Sequence, residues 1–204
     1  MDSFKRRTFL LVLIAPSGGG KSTILRKVIE RRPDIAYSVS STTRAPRTGE
    51  VDGRDYVFLS QQEFALRRGQ GQFLETAEVH GNWYGTSRTF IAGRLAEGRH
   101  VVLDIDVQGA DSVIHSDLPV VTVFLLPPDC TVLEERLRLR GTDAEPTIAL
   151  RLRNARAEVS RAADFDYLVV NDDLDRAVDD VLAIVRAEEN RTARYENIEA
   201  TFWR

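Results

Sequence analysis

An uninterrupted apolar run, Phe9-Leu10-Leu11-Val12-Leu13-Ile14, passes without a linker into Ala15-Pro16-Ser17-Gly18-Gly19-Gly20-Lys21-Ser22-Thr23, and this junction constrains the chain more than any other segment. A run that is apolar at every position reads as a strand buried on both faces. The stretch Lys21–Arg31 then places Ile24, Leu25, Val28 and Ile29 on one face of a helix. A strand, a tight glycine-rich turn and a helix are the setting in which backbone N–H groups converge on phosphate oxygens. Gly18, Gly19 and Gly20 remove the obstruction of Cβ atoms, and the helix N-terminus adds the positive end of its dipole. In such a loop Lys21 faces the β- and γ-phosphates of ATP, and Ser22 holds Mg²⁺. An ordinary glycine-rich turn is the competing reading, against which Gly20-Lys21-Ser22-Thr23 speaks.

Lys5-Arg6-Arg7 ahead of the apolar run imitates the basic part of a secretory signal. The run is at the short limit for export, far below the roughly 20 residues that span a bilayer, and it ends in the glycine turn. Cys130 is the single cysteine and three scattered histidines show no zinc-ligand spacing, so disulfides and a zinc centre are not expected and a reducing cytoplasm suits the chain. A formal charge of −3 gives no global attraction to nucleic acid or to a membrane. With 43% hydrophobic and 29% charged residues in 204, a single globular domain over 1–204 is expected.

Three more apolar runs, Val101–Ile105, Val120–Leu126 and Tyr167–Val170, are each followed by a helix-period segment, at Val107–Ile114, 129–140 and 174–188. This order predicts an α/β fold with a three-layer P-loop NTPase core, its parallel sheet flanked by helices. Residues 8–37, 99–135 and 164–190 make up that core. Residues 38–98 break the rhythm with short strand-like pieces at 56–59 and Phe73–Val79 and a helix near 61–68, and read as an inserted sub-domain. Residues 136–163 read as a short mobile lid with its flanking helix, the polar segment 141–146 being its loop. The tail, 191–204, is either a fraying helix or a packed segment.

Asp104 ends an apolar strand at the edge where parallel sheets bind ligands, and is a candidate to orient a metal ion through water. Its alternative role is to cap the helix that follows. Arg136 and Arg140, four apart, share a helix face and can converge on one phosphate, whereas Arg138 points away. A solvated face paired with Glu134 and Glu135 is the alternative for these arginines, and Arg151 lies beyond the lid.

Ser40-Ser41-Thr42-Thr43-Arg44-Ala45-Pro46-Arg47-Thr48-Gly49-Glu50 and Gly53-Arg54-Asp55-Tyr56 resemble the guanylate kinase family. The resemblance continues through Phe73-Leu74-Glu75, Asn82-Trp83-Tyr84-Gly85-Thr86, Leu103-Asp104-Ile105-Asp106-Val107-Gln108-Gly109, 136–141 and Val170-Asn171-Asp172-Asp173. It covers the chain from about Thr8 to Glu189. The departures are Ala15, where the loop usually begins with glycine, and Trp83 in place of tyrosine.

The resemblance implies transfer of a phosphoryl group from ATP to GMP, with dGMP as a further acceptor, in purine nucleotide metabolism. It implies that the insert binds GMP, with Arg44, Arg47, Tyr56 and Tyr84 on its phosphate, a donor set that suits a dianion. Glu75 and Ser40 would read the base, with Thr86, Asp104 and Asp106 nearby. Residues Ala15 to Thr23, Arg136, Arg140 and Asn171 would bind ATP, and Lys21, Arg44, Arg136, Arg140 and Arg151 would carry the catalysis. Two other readings are a kinase for another phosphorylated acceptor, which should lack the Ser40 to Glu50 run and Glu75, and a catalytically silent scaffold module, which should have lost Lys21.

Overall fold

Every residue of the first strand, β1 (Leu10–Ile14), is buried, because it lies in the middle of a parallel sheet covered on both faces. The computed structural model describes residues 4–79, 81–139 and 144–203. After β1 come α1 (Lys21–Arg31), β2 (Ala36–Tyr37), β3 (Ser41–Thr42), β4 (Val57–Phe58), α2 (Gln61–Gly69), β5 (Phe73–Val79), β6 (Asn82–Ser87) and α3 (Arg88–Ala96). The second half runs β7 (Val101–Ile105), α4 (Val107–Ile114), β8 (Val120–Leu126), α5 (Cys130–Leu139), α6 (Glu145–Val159), β9 (Tyr167–Val170), α7 (Leu174–Glu189) and α8 (Ile198–Phe202). No helix among the described residues is long and apolar enough to cross a membrane.

The main sheet has the order β2-β7-β1-β8-β9 and is parallel throughout. Alternate residues of β1 face opposite layers. Leu11 and Leu13 pack with Ile24 and Val28 of α1 and Val178 and Val181 of α7. Leu10, Val12 and Ile14 pack with Ala110 and Val113 of α4 and Ile91 of α3. This is the three-layer α/β arrangement that the alternation of runs predicts, and α3, inside the stretch 38–98, supplies part of one layer. The central Phe124 is fully buried and stacks on Phe165 with centroids 5.4 Å apart. Phe124→Ala should therefore destabilise the chain by about 3–5 kcal/mol, read from the midpoint of urea unfolding.

A second sheet, β4-β3-β6-β5, is mostly antiparallel and stands beside the first. Strand β6 and helix α3 are absent from the sequence reading, since Asn82–Ser87 has no apolar alternation of its own. The tail is packed near its start and open near its end. Arg194 donates to Glu188 at 2.8 Å and lies over the Phe9 ring, while Phe202 and Trp203 are exposed.

The connections out of β1 and β7 leave in opposite directions, toward β2 and β8 respectively, which opens a crevice at the carboxyl ends of these two neighbours. Ile14 is in register with Ile105. The glycine-rich loop and Asp106 therefore leave the sheet side by side.

Candidate active site

The loop after β1 folds around a cavity of about 350 Å³, lined by every residue from Ala15 to Thr23 together with Asp106 and Glu158. Gly20 takes φ 92°, and a Cβ there would stand 2.3 Å from Nδ2 of Asn171, so both backbone and space require glycine. That amide donates to the Gly19 carbonyl at 3.0 Å and is buried. Ala15 is buried in the core beneath the loop, and among the described residues the only non-glycine with positive φ is Asn197. The alanine therefore replaces the usual glycine without backbone strain.

Lys21 bends back from the start of α1, and its Nζ donates to the Ile105 carbonyl at 2.7 Å. Burial holds its ammonium below the ordinary lysine range, against the pull of the Asp104, Asp106, Glu158 and Glu75 carboxylates. Arginines approach from the other side. Arg136 donates through Nη2 to the Asn171 carbonyl at 2.9 Å, while its Nη1 is buried and without a hydrogen-bond partner among the described residues. Arg151 donates to Ser17 Oγ at 3.1 Å. Arg138 is exposed and pairs with Glu134 and Glu145, as its position on the helix predicts. Arg140 and the lid residues 141–143 lie outside the described residues.

A second cavity of about 930 Å³ opens between α1 and the smaller sheet, with Ser40, Tyr56, Glu75, Tyr84, Asp104 and Asp106 in its wall. Lys21, Ser22 and Asp106 line both cavities. Glu75 is buried on β5 and accepts from Thr86 Oγ1 at 2.6 Å, Thr86 itself being buried on β6. Desolvation raises the pKa of Glu75, and Asp106 adds to the rise. The two acids meet over Gly109: a Cβ at that position would lie 3.3 Å from Glu75 Oε2 and 3.4 Å from Asp106 Oδ1. Glu75 is thus not a strand carboxylate facing bulk water.

Asp106, and not Asp104, caps the next helix, its Oδ1 accepting from Gly109 N at 2.8 Å. Asp104 instead accepts from the Tyr37 hydroxyl at 3.0 Å. Burial raises the pKa of Asp104, opposed by Lys21 and by the Tyr37 bond.

Tyr56 and Tyr84 line the larger cavity with Glu50 and Arg54, while Arg44 does not line it and stands beside Tyr56 and Glu50. Arg44 lies 5.4 Å from the Tyr56 ring and is gripped by Glu50 at 2.8 and 3.0 Å. The Glu50 bond, with help from the Tyr84 hydroxyl, raises the pKa of Arg44 further. Arg47 is exposed, and its backbone N–H donates to Glu50 at 2.7 Å. Trp83 serves as a platform on the outer face, with the Arg68 guanidinium 4.1 Å above its ring and Phe64 stacked on it. Four residues of this region escaped the sequence reading as site residues: Tyr37, Glu50, Gly109 and Glu158. Glu50 and Gly109 carried a signal, as the close of the runs from Ser40 and from Leu103, whereas Tyr37 and Glu158 carried none.

The family model described as Guanylate kinase matches residues 6–188. A guanylate kinase of Aromatoleum aromaticum is 48% identical over 184 residues, covering 90% of each chain. One of Desulfotalea psychrophila is 49% identical over 186 residues, covering 91% of this chain and 92% of the relative. Among solved structures, the guanylate kinase from Anaplasma phagocytophilum superposes with a TM-score of 0.80 at 34% identity, covering 98% of this chain and 95% of that one.

Proposed function

The chain belongs to the guanylate kinase family, and from that membership we infer that it is an ATP:GMP phosphotransferase, moving the γ-phosphoryl group of ATP to GMP to give ADP and GDP. The observation that carries the reading is the pair of cavities that share Lys21, Ser22 and Asp106. Two phosphate-bearing substrates, one in each space, would meet end to end at the ammonium of Lys21.

The smaller cavity would take the phosphates of ATP, on the backbone N–H groups of the loop and on Arg136, Arg151 and Arg140. The unpartnered Nη1 of Arg136 supports this, since a buried guanidinium N–H without an acceptor is costly until an anion arrives. Asn171 would set the loop by holding Gly19. The larger cavity would take GMP, or dGMP, with the phosphate against Arg44, Arg47, Tyr56 and Tyr84, and the base against Glu75, Ser40 and Thr86. Glu50 would orient Arg44 for that phosphate. Asp104 would be fixed by Tyr37.

The site also suits Mg²⁺. Its side-chain oxygens are the Ser17, Ser22 and Thr23 hydroxyls and the Asp106 and Glu158 carboxylates, the hard ligands this ion prefers, and Glu158 Oε2 is buried without a partner among the described residues. Ser22 would hold the ion, with Asp104 reaching it through water. When bound, the ion would help to neutralise the charge of the phosphates. The acceptor is already an ionised phosphate, so the protein needs no strong general base. Lys21 and the arginines would align the two phosphates and offset the developing charge, and closure of the lid would exclude water. A reducing cytoplasm and purine nucleotide metabolism are the setting that fits this activity.

The test is ADP formation from ATP with each nucleoside monophosphate in a coupled assay. GMP should be the acceptor used with the highest kcat/KM. Turnover with another acceptor and none with GMP would overturn the function and leave the fold intact.

A further inference from the structure

Glu158 has been given no role of its own beyond fitting the site to a metal ion, yet it stands in the phosphate cavity. It projects from α6 into the space lined by the loop from Ala15 to Thr23 and by Asp106. Its Oε2 is out of reach of solvent and takes no hydrogen bond among the described residues. Burial and the neighbouring Asp106 carboxylate raise its pKa, opposed by the charge of Lys21 and the main-chain N–H of Ser17. Simple pairing with Lys21 does not account for Oε2, because Lys21 Nζ is bonded to the Ile105 carbonyl and no ion pair joins the two residues among those described. Arg151, two helical turns earlier on α6, donates to Ser17 Oγ. One helix thus presents both signs of charge to the same loop residue.

A carboxylate only accepts hydrogen bonds, and so do the oxygens of a triphosphate. Set directly against each other, Glu158 and the phosphates would repel, as would Asp106. The conflict disappears when a layer of donors lies between them. Mg²⁺ keeps several of its waters when it binds beside phosphates, and outer carboxylates are frequent acceptors for groups in a metal's first shell. Asp104 would reach the ion's waters from the other side, since it lines the larger cavity and is bonded to Tyr37.

We propose that Glu158, together with Asp106, accepts hydrogen bonds from the waters of the metal ion that enters with ATP at Ser22. Glu158 is then a positioning residue that makes ATP binding depend on the metal and ties α6 to the loaded donor site. This rests on the reading of the smaller cavity as the ATP site.

The test compares Kd for ATP with Mg²⁺ and for ATP in EDTA by calorimetry, in the wild-type chain and in Glu158→Gln. Glutamine keeps the shape and an acceptor for Ser17 N–H but loses the charge. The Kd with Mg²⁺ should rise by about 10–100-fold, the range for loss of an outer-shell metal partner, while the Kd in EDTA stays level or falls. A purely structural role would weaken both alike, and that result overturns the inference. So does a preference for the metal form that survives the substitution unchanged. A wild-type chain that binds ATP equally with and without Mg²⁺ would instead remove the metal reading of the site. Asp106→Asn gives an independent arm, because asparagine retains the helix cap. It should erode the metal preference in the same direction, and an unchanged ratio would strike Asp106 from the pair.

Discussion

Lys21→Ala is expected to lower kcat by about 10²–10³-fold or more, the effect of removing a fixed charge that stabilises a transition state, with the chain still folded. The expectation follows from where the ammonium is held. It is desolvated at the first turn of α1, anchored by the Ile105 carbonyl, and lies where the two cavities join. Desolvation strengthens its action on any phosphate that arrives, because the effective dielectric there is lower than in water. No described residue stands ready to replace it. Arg136 and Arg151 are engaged with Asn171 and Ser17. The ligand-free melting temperature should stay near the wild-type value, since the substitution leaves the apolar face of α1, Ile24, Leu25 and Val28, untouched. The rise in Tm caused by ATP should shrink as affinity is lost. Turnover close to wild type in a well-folded Lys21→Ala would remove this residue from the donor site.

The parts legible in the sequence are those where one short segment carries its whole instruction. β1 and α1 are such a case, because the apolar run, the glycines and the helical face are contiguous. The strands Val101–Ile105, Val120–Leu126 and Tyr167–Val170 are read at their observed bounds for the same reason. The second sheet is different: β3 and β4 have two residues each, and β6 owes its conformation to pairing with β5, which no local pattern announces. Glu75 was legible only through the family resemblance, since a strand carboxylate says nothing by itself about its burial. The aspartates after β7 show the limit of one-dimensional reasoning. The sequence reading offers Asp104 as the cap of α4, whereas the fold turns Asp104 toward Tyr37 and gives the cap to Asp106. Glu158 was invisible for a further reason. It lies on a helix rich in charges, and its neighbour Ser17 is brought to it by tertiary packing alone.

Base selection gives the other large effect, at Glu75→Gln. The Glu75 carboxylate is buried and oriented by Thr86, with Oε2 turned toward Gly109 and Asp106. Guanine presents its ring N–H and its exocyclic amine side by side, two donors that an ionised carboxylate can accept together. At the corresponding positions adenine has a ring-nitrogen lone pair and a C–H, so it would leave one carboxylate oxygen facing a lone pair inside the protein. A mismatch of that kind excludes the wrong ligand more strongly than a missing methylene does, since a buried charged acceptor without a donor costs more than about 1–3 kcal/mol. Glutamine reverses the match. Its amide offers one donor and one acceptor, which suits adenine and sets an N–H against one of guanine's donors. Thr86 can still donate to the amide oxygen, so the strand and the local packing should survive. The ratio of kcat/KM for GMP to that for AMP should therefore fall by about 10²-fold or more, chiefly through loss of GMP activity. Burial and the nearby Asp106 raise the pKa of Glu75, so the wild-type preference for GMP should itself weaken as pH falls and the carboxylic acid forms, while the glutamine variant shows no such dependence. A GMP to AMP ratio unchanged by the substitution would sink the assignment of Glu75 to the base.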